Sequence, residues 1–416
     1  MDKTLKEDTK NKFSGYQIFV VIILTLLQFV VVIGFAIIAP IGDILMKSLN
    51  IDTSQYGVLV SSYAFGAGIS GIVAAAVADK FDRKKFLLFF FAGFLVGILL
   101  CSLARNYSLL LIARIVSGVF GGVINAILLS IVADLFVINL RGRVMSYIQM
   151  AFSVSQILGI PLGLMLANKW GWNSVFVGIA GLGMIVGIVV ALKMRPINEH
   201  LQLQTEKTNI FRNLKNVVAD SRYLPGYLLL TLVTMGGAML MPFGAPFLIN
   251  NIRITTVELS IVYMFTGIAG VFLMIFIGKL SDTFPLKSVF FAGTLVTVIM
   301  TLIYTRLTPV PVWVIILINI FMFTGTNGRL IPTMTLNTVI PEPKDRGAYL
   351  SLCAAFQQIA NGLGALLSGF IIVQTTKTGP LLNFDKAGYV VVIFSLICLF
   401  LFFRIAKTAD LKTTKR

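Results

Sequence analysis

Two short charged stretches stand out in this chain, because each separates two long apolar runs. The first is AAVADKFDRKK at residues 75–85, and the second covers residues 278–287. Asp79 in the first stretch and Asp282 in the second are 203 residues apart. A carboxylate at a helix end can face the positive N-terminus of a neighbouring helix in one conformation and lose that partner in another. Residues of this kind suit a conformational switch.

No residue pattern predicts an enzyme or a bound cofactor. The sequence contains no motif for a phosphate-binding loop, for a metal cluster or for a nucleophile paired with a base. The three cysteines, Cys101, Cys353 and Cys398, lie in apolar runs without CxxC spacing, which indicates packing residues. We therefore predict no catalytic residue, no cofactor and no metal site.

The composition predicts an integral membrane protein. Apolar residues make up 57% of the 416 residues and charged residues 12%, with a mean hydropathy of +0.92, and apolar runs long enough to cross a bilayer recur along the chain. We predict an all-α fold with twelve spans. Their ranges are roughly 17–42, 56–78, 86–104, 109–136, 144–167, 174–192, 223–249, 258–280, 288–305, 312–338, 347–372 and 387–403.

The spans divide into two similar halves. Arg141-Gly142 and Arg346-Gly347 repeat at a separation of 205 residues, close to the separation of the two charged stretches. We predict six-helix bundles at residues 1–192 and 223–416, with tails at 1–16 and 404–416 and a basic linker at 193–222.

The basic residues indicate an orientation rather than a nucleic-acid partner. The net charge is +17. Most Lys and Arg residues fall in the two tails, in the linker and in the loops that share one side of the membrane with them. We therefore place both termini in the cytoplasm and predict no nucleic-acid binding.

With these features in place, the chain resembles the major facilitator superfamily over nearly its whole length. It is most similar to the bacterial branch that holds drug:proton antiporters and arabinose-type sugar exporters. Asp79, Lys80, Arg83 and Lys84 match the charged positions of the family's loop after the second span. Ala75 and Asp82 stand where glycines are usual.

The resemblance implies a gate at these charged residues. Asp79 is expected to face the start of the eleventh span, and Arg83 is expected to meet Asp134 at the inner end of the fourth. Asp282 is the corresponding acid of the second half. The alternative is that the basic residues only anchor the helices on the cytoplasmic side, which explains the two acids Asp79 and Asp134 poorly.

Arg114 matches the family's fourth-span motif, and the resemblance implies a part in proton transfer or substrate coupling. A guanidinium within a span is costly unless it faces a cavity or a partner. The alternative is that Arg114 reaches the outer surface, since it lies about five residues inside its span.

The fifth span carries Ser155-Gln156 followed by Gly159, Pro161 and Gly163, which resembles a motif of exporters in a shortened form. This similarity favours efflux over uptake.

Arg329 and Pro332 predict an irregular helix in the tenth span, because irregular backbone at membrane depth is tolerated where it lines a cavity. Alternatively, Arg329 reaches cytoplasmic water or pairs with Asp282 or Glu342.

Few residues in the predicted spans could bind and release a proton during transport. The single histidine, His200, is in the linker, and no carboxylate lies at the middle of a span. Asp43, at the end of the first span, is our candidate. The alternatives are a helix-end carboxylate in outer water and a facilitator without proton coupling.

Uncharged polar and soft apolar groups are expected to line the substrate cavity. The candidates are Gln28, Asn125, Gln149, Met150, Phe152, Gln156, Tyr227, Met235, Asn327, Arg329, Gln357, Gln358 and Asn361. Each of them could instead make a hydrogen bond between helices.

These features together predict proton-coupled efflux of a small amphipathic molecule by alternating access across a bacterial inner membrane, by a monomer. A sugar or metabolite exporter without proton coupling is the alternative within transport. A membrane receptor or scaffold on the same fold is the alternative outside it.

Overall fold

The structure, a computed structural model, describes residues 13–77, 81–198, 210–342 and 345–413. The first half holds eight helices in this range: α1 (Gly15–Ala36), α2 (Gly42–Leu49), α3 (Thr53–Val77), α4 (Arg83–Leu103), α5 (Tyr107–Leu135), α6 (Ile138–Val154), α7 (Ile160–Trp170) and α8 (Trp172–Lys193). After the linker helix α9 (Ile210–Ala219) come α10 (Leu224–Asn250), α11 (Thr256–Thr283), α12 (Leu286–Tyr304), α13 (Val312–Val339), α14 (Arg346–Ile371), β1 (Val373–Gln374), β2 (Leu381–Leu382) and α15 (Phe384–Thr413).

Twelve of the helical segments in the described part of the chain are long and apolar enough to cross a membrane, with α6 and α7 counted as one. The predicted twelve-span, all-α fold in two six-helix halves is confirmed. Caps define several starts: Ser14 and Gln17 form a capping box at α1, and Thr255 and Glu258 form another at α11. These side chains satisfy backbone N–H groups that a helix start leaves without partners.

The first span is shorter than predicted. The sequence predicts a helix over 17–42, but α1 ends at Ala36, and a separate short helix, α2, begins at Gly42. The apolar run continues through residues 37–41, so hydropathy alone does not reveal the break. Asp43 therefore lies in the first turn of α2 and not at the end of α1.

Irregular backbone occurs in the fifth span and not in the tenth. α13 is continuous from Val312 to Val339 with Pro332 inside it, so the predicted irregularity at Arg329 is wrong. Residues Ser155–Gly159 instead form one π-helical turn between α6 and α7, in which the Ile160 N–H donates to the Ser155 carbonyl. Pro161 follows directly and cannot donate a backbone hydrogen bond, and the wider turn accommodates it.

The bundle has two ends that can be told apart by their contacts. At the linker end, where the chain passes from α8 to α10, the start of α1 contacts the ends of α5 and α8 through Gln17 and Tyr16. At the far end, Asn173 at the start of α8 donates to the carbonyls of Ser102 and Ala104. Successive spans thus alternate in direction.

The two halves meet along α3 and α14. A Cβ atom placed on Gly57 would lie 2.9 Å from the Ala365 carbonyl oxygen and 2.9 Å from the Gly369 Cα. Backbone therefore touches backbone at this place, which small residues permit in membrane helices. A second contact joins α11 to the π-helical turn, where Gly267 packs on Gln156 and Ile157.

Candidate functional site

An ion pair joins α4 and α5 at the linker end. Arg83 Nε lies 2.9 Å from Asp134 Oδ2, and the exposed fractions of the two side chains are 5% and 24%. Asp82 caps α4 by accepting from the Lys85 N–H, and it also accepts from the Ile197 N–H. Lys84 donates to the Ala191 carbonyl at the end of α8. The linker end of the first half is thus held by charged contacts among α4, α5 and α8.

The other predicted gate residues are placed differently. Asp79 and Lys80 lie outside the described residues. Asp282 is exposed near the end of α11.

A second charged cluster at the linker end was not predicted from the sequence. Arg222 donates to both carboxylate oxygens of Asp220 and, at 2.6 Å, to Glu342. The hydrogen bonds that Arg222 donates, first to Asp220 and then to Glu342, raise the pKa of Arg222 above its usual value. Tyr223 donates to Asp345 at 2.9 Å, just before α14 begins. The start of α10 is therefore tied to the segment that connects α13 and α14.

Arg114 lies inside the first half and does not reach the outer surface. Its side chain is fully buried, and Nη1 donates to the Gly34 carbonyl at 2.8 Å. Gly34 is in the last turn of α1, where carbonyls lack donors within the helix. The guanidinium also lies 4.6 Å from the centre of the Tyr63 ring. Arg114 therefore caps the end of α1 and contacts α3 from its place on α5.

Arg329 is equally buried but has fewer contacts. It is 2% exposed, and its Nε and Nη2 atoms, like those of Arg114, have no hydrogen-bond partner among the described residues. The thiol of Cys398 on α15 is the polar group beside it. The alternatives that paired Arg329 with Asp282 or Glu342 are wrong, because Glu342 pairs with Arg222 and Asp282 is exposed. Arg329 does line a cavity, which lies within the second half.

Asp43 forms a polar contact between the two halves at the far end. Its Oδ2 lies 2.7 Å from Lys47 Nζ, and its Oδ1 accepts from Asn250 Nδ2 at 2.6 Å. Lys47 also donates to Asn250 Oδ1 at 3.3 Å. Asp43 is 5% exposed, so the alternative of a carboxylate in open water is wrong. The contact needs α2, which sequence analysis did not separate from the first span.

Two more hydrogen bonds close the far end, and neither was anticipated. The Tyr56 hydroxyl is 3.0 Å from the Ile38 carbonyl of its own half and 3.1 Å from the Pro242 carbonyl of the other. Thr53 Oγ1 donates to the Ile372 carbonyl at 2.5 Å. Since the acceptors are backbone carbonyls, no sequence motif marks them.

The predicted cavity residues fall into three groups, which are buried, half-buried and exposed. Gln28 and Asn327 are buried, at 6% and 7% exposure, and Asn327 donates to the Phe323 carbonyl in its own helix. Met150 is 48% exposed. Tyr227 and Met235 are also buried, and Asn125 and Gln149 are also exposed. The half-buried residues are Phe152, Gln156, Gln357, Gln358 and Asn361. Asn361 donates to Gln358 and lines a small pocket of about 30 Å³ between α1, α3, α10 and α14.

Several neutral polar atoms near mid-depth lack partners among the described residues. They are Gln28 Oε1 on α1, Ser155 Oγ and Gln156 Oε1 in the π-helical turn, Thr234 Oγ1 on α10 and Thr266 Oγ1 on α11. All are buried and uncharged. Buried polar atoms normally find a partner, so a group of unpaired ones marks a place where another molecule could supply it.

Two six-helix bundles that span a membrane, meet through polar contacts at one end and carry unpaired neutral groups between them define a membrane transport protein. The sequence model of the Major Facilitator Superfamily matches residues 24–342 and 226–416. The chain belongs to this superfamily, and it is a multi-pass membrane transporter and not an enzyme.

Similar proteins support this assignment. An uncharacterized MFS-type transporter, YbcL of Bacillus subtilis, is 24% identical over 91% of this chain and 95% of its own length. A probable sugar efflux transporter of Helicobacter pylori strain G27 is 24% identical over 88% and 91% of the two chains. The crystal structure of a bacterial homologue of the human lysosomal transporter Spinster, inward-facing and occupied, has a TM-score of 0.79 at 18% identity, with 95% and 98% of the chains covered.

Proposed function

We propose that this transporter exports a small, neutral, hydroxyl-rich molecule of the sugar class by alternating access. The observation that carries the proposal is the set of buried, uncharged and unpaired polar atoms at mid-depth on α1, α10, α11 and the π-helical turn. Amide and hydroxyl groups both donate and accept, so they match a ligand with many hydroxyls. Relatives named as probable sugar efflux transporters point to the same substrate class.

We assign the substrate contacts to the neutral candidates. These are Gln28, Asn125, Met150, Gln156, Asn327, Gln357 and Asn361. An anionic substrate would need a positive group in the pathway, and Arg114 and Arg329 are both occupied or enclosed within their own halves. A neutral ligand satisfies the unpaired groups without adding a charge.

The export direction rests on orientation and on the fifth-span motif. We place the linker end, with both termini, in the cytoplasm of a bacterial inner membrane, because Lys and Arg residues concentrate there. The monomer holds both halves, 1–192 and 223–416, which rock about the central site. Gly159 ends the π-helical turn, Pro161 and Gly163 follow it in α7, and such a turn supplies a hinge.

The gate roles follow from this motion. Asp79, Lys80, Arg83, Lys84 and Asp134 are the proposed gate residues of the linker end, and the exposed Asp282 is assigned only a minor part in the gate. Arg114 fixes the end of α1 next to the far-end contact of Asp43, so we assign it a positioning role in coupling.

Counterflow in proteoliposomes tests the proposal, because exchange of labelled for unlabelled substrate needs no coupling ion. A panel of pentoses and hexoses is offered to wild type, Gln28→Leu, Gln156→Leu and the control Gln374→Leu at the far-end hairpin. We expect exchange of at least one sugar, at least 10-fold weaker in the first two variants and unchanged in the control. No exchange of any sugar by correctly reconstituted wild type would overturn the sugar assignment.

Proton-coupled efflux of an amphipathic molecule is the second candidate. It is favoured by Asp43, a buried carboxylate whose ion pair with Lys47 forms part of a contact between the halves. Loading Asp43 with a proton would weaken that contact, which links proton binding to opening of the far end.

Solid-supported-membrane electrophysiology separates the two candidates. Charge movement on adding tetraphenylphosphonium or ethidium that depends on pH and is lost in Asp43→Asn would support proton coupling at Asp43. Sugar-induced exchange without pH dependence would favour the facilitator. No flux of either substrate class under a pH gradient would count against transport altogether.

A further inference from the structure

A small cavity lies inside the second half, away from the contact between the halves. Its volume is about 40 Å³, and four helices of the same bundle, α10, α12, α13 and α15, surround it. Its polar lining comprises Arg329, Thr297, Thr301 and Thr326. A volume of this size accommodates one or a few water-sized groups, whereas organic ligands need several hundred Å³.

Arg329 brings an unbalanced positive charge to this cavity. The residue is 2% exposed, and its Nε and Nη2 atoms have no partner in the described part of the chain. None of the residues that line the cavity is acidic. The nearest acid along α15 is Asp385, six residues or about 9 Å before the lining residue Val391. The neighbouring Cys398 thiol is neutral in its protonated form and leaves the charge uncompensated.

The first half shows how the position is filled when no charge is present. The separation of 205 residues that relates Arg141 to Arg346 also relates Ile124 to Arg329. Ile124 is fully buried in the apolar core of the first half. At this separation, an apolar core position of the first half corresponds to a buried cation in the second.

Threonine hydroxyls around the cavity can donate hydrogen bonds in addition to those of Arg329. Thr297 donates its hydroxyl to the Gly293 carbonyl and so has only lone pairs to offer. Thr301 and Thr326 have no side-chain hydrogen bond among the described residues, and Thr301 is 1% exposed. Two free hydroxyls and the Arg329 side chain, with its two unpartnered guanidinium nitrogens, thus line a space that has no acidic lining residue.

We propose that this cavity binds a small monovalent anion of the size of chloride, held by Arg329 with Thr301 and Thr326. Water alone would satisfy the hydrogen bonds but would leave the charge in a low-dielectric interior, where an unpaired ion is strongly disfavoured. The anion neutralises Arg329 and stabilises the second half as a ligand bound to the folded state. The site does not depend on the transported substrate.

Equilibrium binding of radioactive chloride to the purified full-length protein tests the site directly. We expect about one saturable chloride per chain in wild type, competition by bromide, and loss of saturable binding in Arg329→Met. Arg114→Met is the matched control, because it removes an equally buried arginine from the other half and should retain binding.

Thermal unfolding gives a second readout that does not need radioactivity. Exchange of chloride for gluconate at constant ionic strength should lower the melting temperature of wild type by about 5 °C when chloride is about 100-fold above its dissociation constant. Arg329→Met should show no such shift, and Arg114→Met should show the full shift.

Two results would overturn the proposal. One is wild type without saturable chloride binding or an anion-dependent melting temperature. The other is a chloride effect that appears only in Cys398→Ala, since that result would make the Cys398 thiolate the native counter-charge of Arg329.

Discussion

The two halves share a fold but differ in where they hold charge. The first half pairs Arg83 with Asp134 at 2.9 Å and gives Arg114 a backbone carbonyl and an aromatic ring. In the second half, Lys287 lies at the start of α12 and Thr338 at the end of α13, as Arg83 and Asp134 do in α4 and α5, and α13 carries no acid. Its buried Arg329 lies beside a cavity instead.

The two halves of the duplicated chain have therefore kept their apolar pattern more strictly than their polar contacts. Twelve spans need only length and hydropathy, which both halves keep. A buried charge needs a particular partner, and the described residues supply an acid to Arg83 but none to Arg329.

Opposite effects on stability are expected from the two buried arginines in chloride-free buffer. Arg114→Met should lower the free energy of unfolding by about 1.5–3 kcal/mol, because a charged hydrogen bond to Gly34 is lost. Arg329→Met should leave it unchanged or raise it by up to roughly 4 kcal/mol, because an unpaired buried charge is removed. Thermal unfolding in gluconate measures both, and shifts of the same sign would remove the contrast.

Double-mutant cycles compare the two halves at the linker end of the bundle. Arg83→Gln and Asp134→Asn should show a coupling energy of about 1–3 kcal/mol, less than for a fully buried pair because Asp134 is partly exposed. The matched cycle, Lys287→Gln with Thr338→Ala, should couple by less than about 0.5 kcal/mol, since Thr338 carries no charge. Equal coupling in the two cycles would show that the halves use these positions alike.

At the far end, the first half contributes both charges of a contact, Asp43 and Lys47, and the second half contributes only the amide of Asn250. Asn250→Leu should remove two hydrogen bonds to Asp43 and Lys47 and favour separation of the far end by about 1–3 kcal/mol. Distances between spin labels at positions 105 and 377 report the change. Lys169→Gln, an exposed far-end charge, serves as the control and should leave the distances unaltered.

The smallest effect is expected at Asp282. Its side chain is exposed near the end of α11, so Asp282→Asn should change the free energy of unfolding by no more than about 0.5 kcal/mol. Counterflow should stay within about twofold of wild type by the same reasoning. A large loss of transport would instead place this acid in the gate on the same footing as the charges of the first half.

The fold was predictable from the sequence because membrane spans follow a simple rule of length and apolarity. The contact between Arg83 and Asp134 was expected from the resemblance to the superfamily's charged loop after the second span. Hydropathy could not reveal the end of α1 at Ala36, because the residues after it are just as apolar. The sequence therefore placed Asp43 in the wrong helix.

The site was less predictable because its partners are distant in sequence or belong to the backbone. Asp43 and Asn250 are 207 residues apart, and Tyr56 binds two carbonyls that no motif records. Pro332 suggested a broken helix, yet α13 accommodates it, while the single wide turn formed before Pro161. Such outcomes depend on neighbouring helices, which re-satisfy freed backbone groups in a membrane.

The direct approach of backbone to backbone at Gly57 and Gly369 has a consequence for the electrical integrity of the bilayer. No side chain separates the two backbones at this seam, so no file of water can pass between Gly57 and Gly369 while the far end is closed. Because few side chains must repack, the seam can part and re-form in each cycle at small energetic cost. A bulky residue at position 57 would replace this seal with an imperfect fit, and the resting leak current would rise.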